Sequence, residues 1–318
     1  MTVTELKEKI LSGYRITRND DTSIFKTCNL EELCLAADEI RKKLAGNHVD
    51  LCSIINGKSG HCSENCKFCA QSAFNHTDCE VYDFIDDEKI VNRATKDAEE
   101  GVHRFSIVTS GRALGGDDFE KAVNVYKKLK ASVDMEFCAS FGFLTKEQLL
   151  RLKEAGVTRY HHNIETSRRN FENICTSHTF DMKLETIKTV KEIGMKICSG
   201  GIIGMGETFD DRIDMALTLS EAGVDSIPIN ALMPIKGTPF ENIKQLSEAE
   251  ILRTIAMFRF INPESGIRLA AGRKLLTNSG ESAFKAGANA TITGNMLTTT
   301  GTTIKGDVEL LKKLGREV

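Results

Sequence analysis

The chain has 318 residues, of which 41 % are hydrophobic, and a formal net charge of −3; it is long enough to bury a large core and has no basic excess that would attract nucleic acid. The opening segment MTVTELKEKILSGYR has no apolar signal region, and no apolar run reaches the roughly 18 residues that a membrane span needs. Ten cysteines in such a chain are typical of a reducing compartment, so we predict a cytoplasmic protein whose cysteines bind metal rather than form disulfides.

The first 45 residues include the amphipathic segment LEELCLAADEIRKKL and are predicted to form a helical extension. Residues 46–318 are predicted to form one domain, because no linker or low-complexity segment divides them. Within that domain, eight short apolar runs predict strands, and segments with helical spacing separate most of them. The runs are Leu51–Asn56, Arg104–Thr109, Met135–Ser140, Arg159–Ile164, Lys196–Gly201, Ser226–Ala231, Gly266–Ala271 and Asn289–Thr293.

The predicted helices carry end signals. Two begin with a capping-box pattern, Thr145 with Gln148 and Ser247 with Glu250. Others stop at a glycine, which can adopt the left-handed conformation that closes a helix. These glycines are Gly101, Gly156, Gly194, Gly223 and Gly287.

Strands that alternate with helices favour parallel pairing and right-handed crossovers. Eight such units predict an α/β fold, a TIM-type (β/α)8 barrel with its active site at the carboxyl ends of the strands. The segment KGDVELLKKLG is predicted to be a C-terminal helix that closes the barrel. A doubly wound sheet is the alternative, but no glycine-rich nucleotide turn follows the first strand.

The segment CSENCKFC places Cys62, Cys66 and Cys69 in a C-x3-C-x2-C pattern directly after the first predicted strand. A closed structural site, whether zinc or an electron-carrying cluster, takes four protein ligands. Three thiolates leave one metal position for a ligand that is not protein. The alternative is a structural site that uses a distant fourth cysteine.

This loop resembles that of radical S-adenosylmethionine (SAM) enzymes, and most of the chain resembles the biotin synthase family among them. The matching segments, in chain order, are GHCSENCKFCAQS, YHHNIETS, CSGGIIGMGET, SIPINALMPIKGTPF, IRLAAGR and KLGR. The resemblance implies a transferase of biotin biosynthesis that inserts sulfur into dethiobiotin. Its three loop thiolates hold a four-iron four-sulfur (4Fe-4S) cluster, which cleaves SAM to a 5′-deoxyadenosyl radical that removes hydrogen from unactivated carbon.

The resemblance also implies roles for polar and apolar residues near the strand ends. Asn163 and Asn230 match positions that contact the substrate. In the segment GGIIGMGE, the glycines would let the adenosine lie close to the backbone. The positions implied to bind SAM are Phe68, Asn163, Glu165, His178, Ile202 and Met233.

A second, auxiliary iron–sulfur cluster is implied as the sulfur donor, with Cys138, Cys198 and Arg268 as catalytic ligands. Two positions depart from the family pattern: Ser106 stands where a strand-two cysteine is usual, and His178 stands where an arginine usually faces the SAM carboxylate. Because a serine oxygen suits iron–sulfur clusters poorly, we predict that Cys79 replaces the missing thiolate. The cluster is then either the two-iron form or a larger four-iron form, and Cys28 is a further candidate ligand.

Two other functions stay open at this point. Another radical SAM activity, such as hydrogenase-cofactor maturation or thiazole-precursor synthesis, shares the barrel and the loop; a non-catalytic iron–sulfur carrier shares the cysteines. The predicted partners are dethiobiotin, SAM and an electron donor such as flavodoxin or ferredoxin. A homodimer is expected, with neither nucleic acid nor membrane as a partner.

Overall fold

The computed structural model describes residues 1–294 and 302–318. The strands of this part of the chain are β1 (Asp50–Lys58), β2 (Arg104–Thr109), β3 (Glu136–Ser140), β4 (Val157–His161), β5 (Lys196–Cys198), β6 (Gly201–Ile203), β7 (Ser226–Ala231), β8 (Gly266–Leu269) and β9 (Ala290–Ile292). They form one parallel sheet in the order β5-β4-β3-β2-β1-β9-β8-β7-β6, and a pairing of β5 with β7 closes it. Since β5 and β6 share one place in the barrel, the result is a closed eight-stranded parallel barrel, and the predicted TIM-type fold is confirmed.

Helices surround the barrel and cover its apolar outer face. Their bounds are α1 (Val3–Leu11), α2 (Ile24–Thr27), α3 (Leu30–Ile40), α4 (Asp87–Glu99), α5 (Gly116–Ser132), α6 (Lys146–Glu154), α7 (Arg168–Ile174), α8 (Phe180–Glu192), α9 (Phe209–Glu221), α10 (Glu248–Ile261), α11 (Glu281–Phe284) and α12 (Ile304–Lys313). Both predicted capping boxes form, at the starts of α6 and α10. All five glycines predicted to stop helices have positive φ angles.

The N-terminal helices pack on the outside of the barrel. The side chains of Leu33 and Ala37 on α3 are fully buried, α3 packs against α10, and the rings of Phe25 and Phe260 lie 5.6 Å apart, edge to face. A π-helical turn, Arg41–Ala45, ends this segment before β1 begins. The treatment of residues 1–45 as a separate unit stays a prediction.

Two predicted strands differ from the observed ones. The fourth, expected to run to Ile164, ends at His161, and the fifth is divided between β5 and β6. The division falls opposite Pro228 of β7, which has no N–H to donate to a neighbouring strand. Thus β5 pairs with β7 only at Cys198, and pairing resumes at Gly201. The other predicted strands are found with bounds shifted by no more than two residues.

None of the helices that the structure describes is both long and apolar enough to cross a membrane.

Candidate active site

A cavity of about 290 Å³ lies inside the barrel. Because successive side chains of a strand point to opposite faces, alternate residues face inward, as Arg159, His161 and Asn163 do along and just beyond β4. At one end, here called the mouth, the lining includes Phe68 and Cys69 of the cysteine loop. At the other end, here called the floor, it includes three cysteines and three arginines from the strands, which are described below.

The cysteine loop folds back on itself after β1. The N–H of Cys62 donates to the carbonyl of Gln71 at 3.0 Å, and the N–H of Cys69 donates to the carbonyl of Cys66 at 3.1 Å. The side-chain amide of Asn75 donates to the carbonyls of Cys66 and Cys69, at 3.2 and 2.8 Å. Main-chain bonds and the Asn75 amide therefore fix the turn, and its three thiols are half-buried and form no disulfide. Burial raises the pKa of Cys69 to about 11, so cluster binding there must displace a proton.

His178 supports this loop from beneath rather than lining the cavity. Its Nδ1 is hydrogen-bonded to the Glu64 carboxylate of the loop, and Arg112 donates to the same carboxylate at 3.1 Å. The imidazole is 6 % exposed and is not among the cavity-lining groups. The predicted contact between His178 and the SAM carboxylate therefore has no support in this placement.

Cys175 is a neighbour of the loop that the sequence did not assign. Its Sγ lies 3.7 Å from that of Cys66 and 3.4 Å from Nδ1 of His178. The hydrogen bond between the two thiols raises the pKa of Cys66 and lowers that of Cys175, whose thiolate is also favoured by His178 and Ser177.

The segment after β4 lines the mouth and is held by its own side chains. The Asn163 amide accepts from the N–H of Gly200 at 3.0 Å and donates to the Glu165 carboxylate at 3.4 Å. Glu165 adopts a left-handed backbone with φ of 70°, and its carbonyl accepts from the N–H of Ile202 at 2.8 Å. Asn163, Glu165 and Ile202 all line the cavity, and their contacts with SAM stay predictions.

Two glycines of the segment GGIIGMGE are required because neighbouring backbone lies very close to them. A Cβ on Gly200 would lie 2.0 Å from the carbonyl oxygen of Pro228, and one on Gly201 would lie 2.3 Å from that of Glu165. Close approach of neighbouring backbone segments therefore demands glycine at these two positions, and the approach of adenosine to this segment stays a prediction.

Asn230 and Met233 extend the lining along the end of β7 and beyond it. The amide of Asn230 donates to the carbonyl of Gly201 at 3.1 Å and accepts from the N–H of Ala271 at 3.1 Å. One N–H and one lone pair of this amide stay unused by those bonds. Asn230 can therefore hold strand ends together and still face a ligand.

Three thiols meet at the floor. Cys52 of β1, Cys138 of β3 and Cys198 of β5 are all at most 6 % exposed and all line the cavity. Burial raises the pKa of Cys52 to about 11 and also raises that of Cys138. Burial likewise opposes ionisation of Cys198, but His161, Arg268 and Arg159 outweigh it and lower the pKa of that thiol. Ser106, opposite Cys138 in the β2–β3 register, lines the same space.

Three guanidinium groups surround one carboxylate beside these thiols. Nη2 of Arg268 lies 2.6 Å from Oδ2 of Asp50, and nitrogens of Arg159 and Arg104 lie 3.5 and 3.6 Å from the same oxygen. Burial would raise the pKa of Asp50, but the three guanidinium groups hold it well below its usual range. The Nε atoms of Arg104 and Arg159 are buried and have no hydrogen-bond partner among residues 1–294 and 302–318. The floor therefore has a net positive charge and buried N–H groups without hydrogen-bond acceptors, as a site for an anionic group would have.

Two family models together match most of this chain. The Radical SAM superfamily model matches residues 58–219, and the Biotin and Thiamin Synthesis associated domain matches residues 228–317. A biotin synthase of Alkaliphilus metalliredigens (strain QYMF) is 58 % identical over 99 % of this chain and 99 % of its own. This chain belongs to the biotin synthase family. A biotin synthase of Clostridium beijerinckii (strain ATCC 51743 / NCIMB 8052) is 57 % identical over 98 % of each chain.

The fold agrees with that of a solved structure. The crystal structure of methylornithine synthase (PylB) superposes with a TM-score of 0.84 over 98 % of this chain and 96 % of that one, at 21 % sequence identity. At that identity the likeness concerns the barrel alone. Membership of the biotin synthase family makes this chain a radical SAM enzyme and implies a 4Fe-4S cluster and SAM. The three free thiols of the loop fit that cluster.

Cys79 and Cys28, which were predicted to bind the auxiliary cluster, lie away from the floor of the cavity. Cys79 is half-buried and does not line the cavity; the segment around it runs outside β1, where Ser59 bonds to Glu80 and Tyr82. Cys28 lies at the end of α2, with its Sγ 3.6 Å from Nη1 of Arg253 on α10. Neither placement supports a role as an auxiliary-cluster ligand.

Sequence reasoning assigned Cys52 to the core and gave Asp50, Arg104 and Arg159 no role. The signal that could have found them is strand phase. Residues two apart on one strand face the same side. Arg104 is two residues before Ser106, so a strand that turns Ser106 inward also turns Arg104 inward.

Proposed function

We propose that this chain converts dethiobiotin to biotin by inserting one sulfur atom. In the overall reaction the sulfur bonds to two carbons in place of two hydrogens, and two SAM molecules leave as methionine and 5′-deoxyadenosine. One electron per SAM enters from a reduced donor protein. The observation that supports this proposal is a single cavity lined both by Cys69 of the cysteine loop and by the strand thiols of Cys52, Cys138 and Cys198.

At the mouth, Cys62, Cys66 and Cys69 would hold the 4Fe-4S cluster. When bound there, the cluster and SAM supply the radical that removes hydrogen from unactivated carbon, a task for which protein acids and bases are too weak. Asn163 and Glu165 offer a donor and acceptors suited to ribose hydroxyls, and both line the mouth. Phe68, Ile202 and Met233 also line it and would exclude water around the cofactor.

Between the two ends, Asn230 would orient dethiobiotin. Its unused N–H and lone pair match the carbonyl and N–H groups of a ureido ring. Two bonds to backbone groups fix its rotamer, so little side-chain freedom is lost when a ligand binds. Asn163, which also lines the cavity, would contact substrate as well as cofactor.

At the floor, Cys138 and Cys198 would hold the auxiliary cluster that donates sulfur. Arg268 lies beside them and donates hydrogen bonds to the Asp50 carboxylate at 2.6 Å and to the Thr291 carbonyl at 2.8 Å. These bonds anchor the guanidinium against the cavity wall. In that position it supplies the positive charge that a cluster with thiolate ligands requires.

The test is anaerobic incubation of the full chain, reconstituted with iron and sulfide, with SAM, dithionite and dethiobiotin. Mass spectrometry should find biotin and two equivalents of 5′-deoxyadenosine. The double variant Cys138→Ala, Cys198→Ala should still make 5′-deoxyadenosine but no biotin. Production of 5′-deoxyadenosine without biotin by the unmodified chain would contradict the assigned substrate.

Three further features belong to the same proposal. The electron donor would be a flavodoxin or ferredoxin, the enzyme a homodimer, and its location the cytoplasm, where cysteines stay reduced. Size-exclusion chromatography with light scattering tests the oligomeric state. Replacing dithionite by each donor protein tests the electron source.

A further inference from the structure

The auxiliary cluster needs more thiolate than Cys138 and Cys198 provide. On β2 the position beside Cys138 is Ser106, and its hydroxyl is a poor ligand for an iron–sulfur cluster. The chain has ten cysteines, all within its described part and all free. Four of them line the cavity: Cys69 at the mouth, and Cys52, Cys138 and Cys198 at the floor.

Cys52 lies in the same space as the other two floor thiols. It sits within β1, with Arg104 of β2 on one side and Ile292 of β9 on the other. Its thiol acts electrostatically on that of Cys138, and Cys198 acts on both. Within the described part of the chain, its hydrogen bond to the carbonyl of Ser53 at 3.6 Å is weak and local, so a metal could displace it.

We propose that Cys52 supplies the third thiolate of the auxiliary cluster, in place of the absent strand-two cysteine. The inference rests on the proposed function, which puts that cluster at the floor. It replaces the prediction for Cys79, whose thiol lies outside the cavity lining.

The charges at the floor favour a third thiolate. Arg104, Arg159 and Arg268 share the carboxylate of Asp50. Among the described residues, Arg104 alone of the three has a second carboxylate partner, Glu136 at 3.5 Å, which is 55 % exposed. Buried positive charge of this kind is costly unless an anion accompanies it. With two thiolate ligands, an iron–sulfur core of charge +2 becomes a neutral cluster. With three thiolate ligands, the cluster is an anion.

The register shows why this ligand can substitute for one on β2. In the β1–β2 pairing Ile54 lies opposite Ser106, and Cys52 is two residues earlier on the same face. A ligand moved from β2 to β1 therefore stays on the inner wall and approaches the cluster nearer the base of the barrel.

The experiment counts iron at the floor alone. In the full-length chain, Cys62, Cys66 and Cys69 are replaced by alanine, and the protein is reconstituted anaerobically with iron and sulfide. Bound iron, acid-labile sulfide and the Mössbauer spectrum are then compared after adding Cys52→Ala, Cys79→Ala or Cys34→Ala. Cys34, on the outer helix α3, is the matched control.

Cys52→Ala should lose at least half of the floor iron and change the Mössbauer spectrum, while the other two variants match their parent. Cys52→Ser, which keeps the size of the side chain, should lose iron as well. Adding Ser106→Cys to the Cys52→Ala protein should restore iron, because that side chain also lines the floor. Circular dichroism and urea unfolding of the apo-proteins separate loss of a ligand from loss of the fold.

Full iron and an unchanged spectrum in Cys52→Ala would overturn the inference, as would loss of iron in Cys79→Ala alone. Either result, together with biotin formation by the unmodified chain, would leave the proposed function standing. A parent protein that binds no floor iron would overturn both the inference and the auxiliary-cluster part of that function.

Discussion

The cysteine loop, residues 62–69, carries three thiols on one segment, and that of Cys69 lines the mouth of the cavity, whereas the floor takes its thiols and guanidinium groups from six different strands. The loop is held by turn bonds, by the side-chain amide of Asn75 and by bonds of Glu64 to His178 and Arg112. The floor groups are held by the ladders of the barrel and by a shared carboxylate. A loop can release and rebind a ligand such as SAM without disturbing the fold, while groups built into strands stay in place. The two ends should therefore respond differently to mutation.

Removing the mouth thiols should have the largest effect on chemistry and little on the fold. In the variant with Cys62, Cys66 and Cys69 replaced by alanine, 5′-deoxyadenosine should fall to the background of a no-enzyme control. The floor cluster should remain, because its ligands lie on other elements. Product analysis by mass spectrometry and an iron count on the same sample check this. Loss of all iron from a folded variant would show that the two ends are not independent.

Removing the carboxylate of the floor should instead weaken the fold. Asp50→Asn leaves the guanidinium groups of Arg104, Arg159 and Arg268 without their common partner. Breaking a buried ion pair in this way costs about 3 kcal/mol or more of unfolding free energy. Urea unfolding of the apo-protein at neutral pH measures the change. Glu136→Gln, at an exposed carboxylate beside Arg104, is the matched control, and its cost should stay below about 1 kcal/mol.

Equal costs for Asp50→Asn and Glu136→Gln would mean that the buried charge cluster contributes no more to stability than a surface pair. Iron loading should offset part of the Asp50→Asn loss, because a bound cluster stabilises the native state.

The mouth was more predictable than the floor for a physical reason. Cys62, Cys66 and Cys69 are close in sequence, so their spacing alone indicates a shared metal. Cys52 lies in the apolar run LCSIIN, where a small buried thiol is as suitable as alanine. Only closure of the barrel brings it near Cys138 and Cys198, and closure is a property of the whole chain.

The same contrast explains the two errors of strand assignment. Propensity predicted an unbroken fifth strand, but the interruption is imposed by Pro228 on a neighbouring strand. Likewise, β4 ends early because Asn163 and Glu165 bond to the segment at Gly200. Periodicity within a segment carries no information about such partners.

Between the two ends, Asn163 and Asn230 provide a matched pair. Both are half-buried asparagines that line the cavity and bond to backbone groups. Asn230→Ala should weaken dethiobiotin binding by about 1–3 kcal/mol, since a buried hydrogen-bond partner is lost, and should change SAM binding little. Asn163→Ala should weaken binding of SAM by a similar amount. Equilibrium binding of each ligand to each variant, with thermal unfolding as a check on folding, measures the difference.

If Asn230→Ala left dethiobiotin affinity unchanged in an active enzyme, Asn230 would be a structural link between β6, β7 and the end of β8, and nothing more. Equal weakening of both ligands by both variants would point to a general loosening of the mouth.

The smallest expected effect concerns a carboxylate that supports the mouth. Asp211, 3 % exposed, accepts from the hydroxyl of Ser167 at 2.6 Å, from Nε of Arg169 at 2.9 Å and from the N–H of Thr208 at 2.7 Å. Burial would raise its pKa, but these hydrogen bonds outweigh burial and lower it. They tie the start of α9 to the segment after β4.

Because the folded-state pKa of Asp211 lies below its unfolded value of about 4, its contribution to stability is complete above that pH. The contribution is lost as the pH falls toward the folded-state value, by at most about 1.4 kcal/mol per pH unit for one proton. Asp211→Asn should therefore lower the unfolding free energy at pH 7 and flatten its fall below about pH 4. Urea unfolding of both apo-proteins from pH 7 to pH 3 tests the sign, and the difference between them removes the contributions of other carboxylates. Parallel curves would mean that Asp211 keeps an ordinary pKa and that its bonds are no stronger in the folded chain than those to water.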